Sequence, residues 1–364
     1  MTGTGGGRRF MSRTLPAVLA AGLALFGDKA LWARSAITPP APEFPKGAAW
    51  LNSEPFTLER LRGRRVMLVS FINTNALASL RTFRQLNLLW DGLALEGLMI
   101  VGVLTPDYES DKDPIMVRKA LARFDIRFPV VIDSSRALWR GYSNEGWPAH
   151  FLVDQEGKVV FERVGEGEAQ ELEREVLQAL RDFNGFRPEG ETPPAAEPET
   201  PCGKATRPVY IGGRRAAKVP SLDPRLVPAI GESQDGQVSS MGSWTLEPDA
   251  LRAAKPGEDL DTGLRLVYRG AEALAVLNRP KAGKPLPVFV KQDGLWLNER
   301  NAHQDIRWDK LKRSFVLIDE PRLYYLAKNA KDDMHELFLY PSGAGAGISA
   351  FEFSDACRTR YEHR

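Results

Sequence analysis

The sequence predicts an α/β domain with a mixed sheet, followed by an all-β sandwich of jelly-roll type. Three observations lead there. Through the first half, short apolar runs alternate with helix-length amphipathic segments. A proline- and acid-rich stretch at 187–204 then interrupts the chain. Beyond it, short strand-like runs recur with no long amphipathic helix between them. At 364 residues the chain exceeds what one continuous core usually serves, so two domains are expected. Apolar residues make up 43% and charged residues 26%, the balance of a folded globular chain. Forty-nine basic residues against 47 acidic ones leave a net charge of +2, which gives no electrostatic reason to expect nucleic acid as a partner.

Residues 1–36 read as a signal peptide or N-terminal anchor. Arg8, Arg9 and Arg13 precede an apolar run from Leu15 to Phe26, and small residues follow near Ala33 and Ala36. About a dozen apolar residues fall short of the ~20 that a helix needs to cross a bilayer, which favours a cleaved signal. An uncleaved anchor stays open, and Arg8-Arg9-Phe10-Met11 fits twin-arginine export imperfectly. Either route puts the folded part outside the cytoplasm, on the periplasmic side, with membrane contact only through this segment. Residues 37–47, with Thr38-Pro39-Pro40-Ala41-Pro42, form a Pro-rich tether.

The first domain spans 48–186. Arg65–Ile72 and Leu98–Leu104 are short apolar runs suited to buried parallel strands, and a helix-length segment from Leu77 to Leu95 lies between them. Asp113-Pro114 opens a second helix, with proline in its first turn and Val117, Ala120, Leu121 and Phe124 as its stripe. Phe128–Ile132 is a third strand. Ala149–Val153 and Val159–Phe161 flank Gln155-Glu156-Gly157 as a hairpin, and Leu172, Val176, Leu180 and Phe183 mark a last helix. In the second domain, 205–356, strands are expected at Leu264–Tyr268, Ala273–Leu277, Val288–Lys291, Leu295–Leu297, Phe315–Ile318, Leu323–Leu326, Glu336–Tyr340 and Ile348–Phe353, with a tail at 357–364. Two cysteines exist, Cys202 and Cys357, at the two ends of this domain. In an oxidising compartment one structural disulfide between them is expected, with two free thiols as the alternative.

Phe71–Thr82 (FINTNALASLRT) resembles the segment after the first central strand in the exported TlpA/DipZ-type redoxins, a thioredoxin-like family related to the AhpC/TSA proteins. The resemblance continues through Gly102–Pro106, Lys112-Asp113-Pro114, Trp147-Pro148-Ala149-His150, Asp154-Gln155-Glu156-Gly157 and Gly165-Glu166-Gly167-Glu168, and so covers roughly 50–180. The second domain is similar to the carbohydrate-binding-module-like sandwich attached to DipZ-type redoxins, through Gly242-Ser243-Trp244, Arg322-Leu323-Tyr324 and Gly347–Phe353. The first resemblance implies a thioredoxin-like fold in 48–186 and thiol-disulfide oxidoreductase activity in the family.

The family's Cys-x-x-Cys positions fall on Ala76 and Ser79. A thioredoxin thiolate needs the dipole and free amides of a helix N-terminus, and a second thiol to resolve the mixed disulfide. Alanine offers no nucleophile, serine has no accessible alkoxide near neutral pH, and no cysteine precedes residue 202. No catalytic residue, metal site or cofactor is therefore expected. The resemblance also implies a cis proline at Pro148, preceded by Trp147. With the Asn73–Asn75 loop it would form a recognition site for an extended protein or peptide segment. His150 is expected to be a strand histidine satisfied by a hydrogen bond, and His303, His335 and His363 share no metal-ligand spacing. Trp296 and Tyr325 form a candidate glycan platform, and adjacent Tyr324 and Tyr325 must point to opposite faces of a strand. The expected function is an exported, non-catalytic adaptor of the cell envelope. The alternatives are a thiol-disulfide oxidoreductase of envelope redox homeostasis and a carbohydrate-binding protein with a vestigial redoxin domain.

Overall fold

The computed structural model describes residues 38–167, 169–188, 205–211, 234–255, 260–281 and 283–355, which all belong to one compact unit. The expected signal segment and the cysteine pair Cys202 and Cys357 lie outside the described residues.

The first domain is a six-stranded mixed sheet. In chain order its elements are β1 (Ala49–Leu51), α1 (Leu58–Leu61), β2 (Val66–Ile72), α2 (Leu77–Leu93), β3 (Leu98–Leu104), a 3₁₀ turn at Glu109–Lys112, α3 (Pro114–Arg123) and β4 (Val130–Ile132). Then come α4 (Ala137–Gly141), β5 (Ala149–Val153), β6 (Val159–Val164) and α5 (Ala169–Asn184). The sheet order is β1-β4-β3-β2-β5-β6, with β2, β3 and β4 parallel and the other pairings antiparallel. All seven residues of β2 are buried, because both faces of the sheet are covered. Alternation sends Val66, Leu68 and Ile72 into the layer that holds α2, α3 and α5. Met67, Val69 and Phe71 go to the opposite layer, with Leu58 and Leu61 of α1 and Leu138 of α4. Asp113 caps α3 by accepting from the Ile115 N–H at 2.8 Å, with Pro114 in the first turn. β1, α1 and α4 are too short for their pattern to stand out in the sequence.

The second domain is a sandwich of two antiparallel sheets. Its strands are β7 (Val209–Tyr210), β8 (Val238–Met241), β9 (Trp244–Leu246), β10 (Leu251–Ala253), β11 (Gly263–Arg269), β12 (Glu272–Asn278) and β13 (Leu286–Gln292). They continue with β14 (Leu295–Trp296), β15 (Ile306–Trp308), β16 (Ser314–Ile318), β17 (Arg322–Lys328), β18 (Met334–Pro341) and β19 (Gly347–Ser354). One sheet runs β17-β12-β19-β10-β9 with β7 on β19, and the other runs β15-β16-β13-β18-β11-β8 with β14 on β13. Each expected run coincides with a strand. The Asp293-Gly294 turn joining β13 to β14 has positive φ at both residues (51° and 78°), as the primed turn of a two-residue hairpin requires. Between the sheets lie Leu264, Leu266, Tyr268, Ala275, Leu277, Val288, Val290, Tyr324, Leu337, Leu339 and Phe351.

The first sheet of the sandwich is covered on its other face as well. Leu274, Val276, Leu323, Tyr325 and Ala350 are buried in the same apolar cluster as Leu77, Leu80 and Phe83 of α2. The strand registers align them: Leu274 stands between Tyr325 and Glu352, and Val276 between Leu323 and Ala350. β19 is accordingly buried along all eight residues. The sandwich therefore packs directly on the α/β domain at the head of α2.

Candidate functional site

α2 begins where β2 ends at the edge of the parallel sheet. Its N-cap is Ala76, whose side chain makes no capping hydrogen bond, so the first amides of the helix need other acceptors. Ser79, fully buried, accepts from the Asn73 N–H at 3.0 Å. Asn73 Oδ1 accepts from the Asn75 N–H at 2.8 Å, and the Ala76 N–H donates to the Asn73 carbonyl at 3.3 Å. The loop is thus a closed set of polar contacts around residues that carry no thiol.

The carboxyl group of Glu352, on β19, lies beside the Leu77 N–H. Glu352 is 5% exposed. Burial lifts its pKa from the ordinary carboxylate range to about 8; nearby Glu166 and Asp107 push the same way, while the Leu77 N–H and Arg81 oppose them. Asn75 makes a second crossing, accepting from the Leu323 N–H of β17 at 3.0 Å. Its amide donates to Asp111 Oδ1 at 3.0 Å. Asp111 also accepts from the Asp107 and Tyr108 N–H groups at 3.1 and 3.0 Å; burial nevertheless lifts it to about 6. Arg81, one turn into α2, donates to Glu166 at 3.0 Å and to Ser354 Oγ of β19 at 2.6 Å. At the rim, Arg123 and Lys119 of α3 pair with Glu320, and the Glu109 N–H donates to Asp249 at 3.3 Å.

Trp147 and Pro148 stand at the same end of the sheet, since Ala149 is paired with Phe71. The Trp147–Pro148 peptide is cis. Trp147 is half-buried, with its ring 4.5 Å from that of Trp139, and the Pro148 carbonyl accepts from the Gly165 N–H at 2.8 Å. His150 is 4% exposed, its Nδ1 lies 3.1 Å from Ser70 Oγ, and burial lowers its pKa to about 4. His303 pairs with Glu272, and His335 with Asp293.

Two expectations need correction. The Asn73–Asn75 loop is not an open companion to Trp147 and Pro148: its residues are 5–6% exposed beneath the sandwich. Nor do Trp296 and Tyr325 form one platform. Trp296 lies on β14, in the second sheet, under Lys291 at 4.5 Å. Tyr325 lies on β17, in the first sheet, and is 2% exposed against the α/β domain, while its neighbour Tyr324 points into the sandwich. Alternation along β17 dictates this split.

Sequence reasoning missed Glu352, Asp111 and Leu323 as site residues. For Glu352 a signal existed. It is the one acid in an otherwise apolar run, Gly347–Phe353, that reads as covered on both faces.

No family model matches the chain. It is 32% identical to Protein DipZ of Mycobacterium bovis over 290 residues, a match covering 74% of this chain and 40% of that protein. The chain thus spans about two-fifths of the length of that relative. It is 31% identical to the thiol-disulfide oxidoreductase YkuV of Bacillus subtilis over 143 residues, covering 39% of this chain and 95% of that protein. Among solved structures, the solution structure of a thioredoxin-like protein in the oxidised form shares 30% identity, covering 40% of this chain and 97% of that one at a TM-score of 0.37.

Proposed function

The chain belongs to the DipZ/TlpA-like family of thioredoxin-like redoxins, and we propose that within it this protein binds rather than exchanges thiols. In this reading it is an exported, redox-silent adaptor of the cell envelope that holds a protein or peptide segment on its thioredoxin-like face. One observation carries the reading: the head of α2, where a redox thiolate would be stabilised, carries Ala76 and a serine already committed to the Asn73 N–H, and is covered by a carboxyl group from the sandwich. The envelope location is supported by the basic-then-apolar N-terminal run.

The second reading is thiol-disulfide exchange in the family's sense. It is favoured by the oxidoreductase relative and would have to use Cys202 and Cys357. Insulin reduction by the natural protein separates the two. The adaptor reading expects turnover no faster than the reductant alone. Turnover that disappears in Cys202→Ser or Cys357→Ser would replace it with the enzymatic one.

A further inference from the structure

The head of α2 is an electropositive helix terminus that in a redoxin serves a thiolate and its substrate. Here the chain's own sandwich packs against it from one side. The Leu323 N–H of β17 donates to Asn75, and the buried Glu352 carboxyl group of β19 lies beside the Leu77 N–H. Arg81 reaches Ser354, two residues from Glu352 on the same face of β19. Around these polar contacts Leu274, Val276, Leu323, Tyr325 and Ala350 continue the apolar core of the first domain. The contacts come from three strands held in register, so they form or separate together.

Taking this face as the binding face proposed above, we infer that its resident ligand is the sandwich itself, with the Glu352 carboxyl group as an intramolecular plug on the α2 N-terminus. An outside protein segment that uses the face must displace β17 and β19 from it. The occupant is a folded sheet face with one acid, so a competitor of matching chemistry is an apolar segment carrying a single carboxylate.

The test places a reporter at the plugged position. In Ala76→Cys, made in the full chain, the thiol shares the helix head with Glu352. In Ala76→Cys with Glu352→Ala, the amides are released to the thiolate. The pH profile of iodoacetamide alkylation, read above the background of the natural chain, gives each thiol pKa. The plug predicts a value at or above the ordinary ~8.5 in the single variant and at least one unit lower in the double variant, with roughly tenfold faster alkylation at pH 7. Where Glu352→Ala fails to fold, as judged by circular dichroism, Glu352→Asp withdraws the acid by one methylene and predicts a shift in the same direction. Equal pKa values with and without Glu352 overturn the inference. That outcome is distinct from failure of the adaptor reading, which is decided by turnover in the natural protein and its cysteine variants.

Discussion

At the scale of the residue, the sign of burial decides how the site responds to pH. Glu352 is lifted to about 8, and Asp111 to about 6, because burial disfavours their charged forms. Each holds its proton in the folded state to higher pH than in the unfolded chain. The stability each contributes is therefore full below the ordinary carboxylate pKa and is lost as pH rises through the folded value. His150 works the other way: lowered from 6.5 to about 4, it favours the folded state above 6.5 and withdraws that support as pH falls. Between about pH 4 and 6.5 the rise from His150 opposes the fall from the two acids. Between about 6.5 and about 8, Glu352 is the one of the three still titrating. We expect unfolding free energy to fall over that interval with a slope approaching ~1.4 kcal/mol per pH unit, and the slope to vanish in Glu352→Gln. Urea denaturation at pH 6.5, 7.2 and 8 reads both. A natural protein whose stability is flat over the interval contradicts the assignment.

At the scale of the element, apolar strand faces outweigh the visible ion pairs. Lys119 and Arg123 meet Glu320 at a partly exposed rim, where a pair contributes about 0–1 kcal/mol. Leu274, fully buried between Tyr325 and Glu352, belongs to a class whose truncation to alanine costs about 2–5 kcal/mol. Equilibrium unfolding is expected to show Leu274→Ala losing at least 2 kcal/mol and Glu320→Gln less than about 1. The reverse order would mean that charge, not burial, holds the sandwich in place. The same comparison explains what was legible in the sequence. Strands such as β12 and β19 stand out as short apolar runs, and α2 and α5 as amphipathic periods. β9, β10 and β15, at three residues each, carry too little pattern to register. The Ala76 and Ser79 positions could be placed by motif alone. Glu352 stands out as the one acid of its run, but what it faces does not, because the neighbouring Leu77 N–H is a backbone group and leaves no mark in the sequence. Nor could the burial of Asn73–Asn75 be read: local polarity suggests a solvated loop, and only the packing of a distant sheet reverses it.

At the scale of the whole molecule, the proline- and acid-rich stretch marks a boundary between two domains, and the structure joins them through one continuous apolar cluster. In the proposed reading, a helix head that carries no thiol and closure of the face belong to one arrangement. The head of α2 still has orphan amides, and a buried carboxyl group from the sandwich lies beside one of them among apolar strand residues. The most direct test follows the two amides at the seam, Leu77 and Leu323, by hydrogen exchange in the natural chain. If the sandwich closes the face, both amides exchange slowly, at a common rate set by separation of the domains, and both accelerate together in Leu274→Ala. If Leu77 exchanges quickly while the amides of β2 remain protected, the face is open in solution and the sandwich is not its occupant.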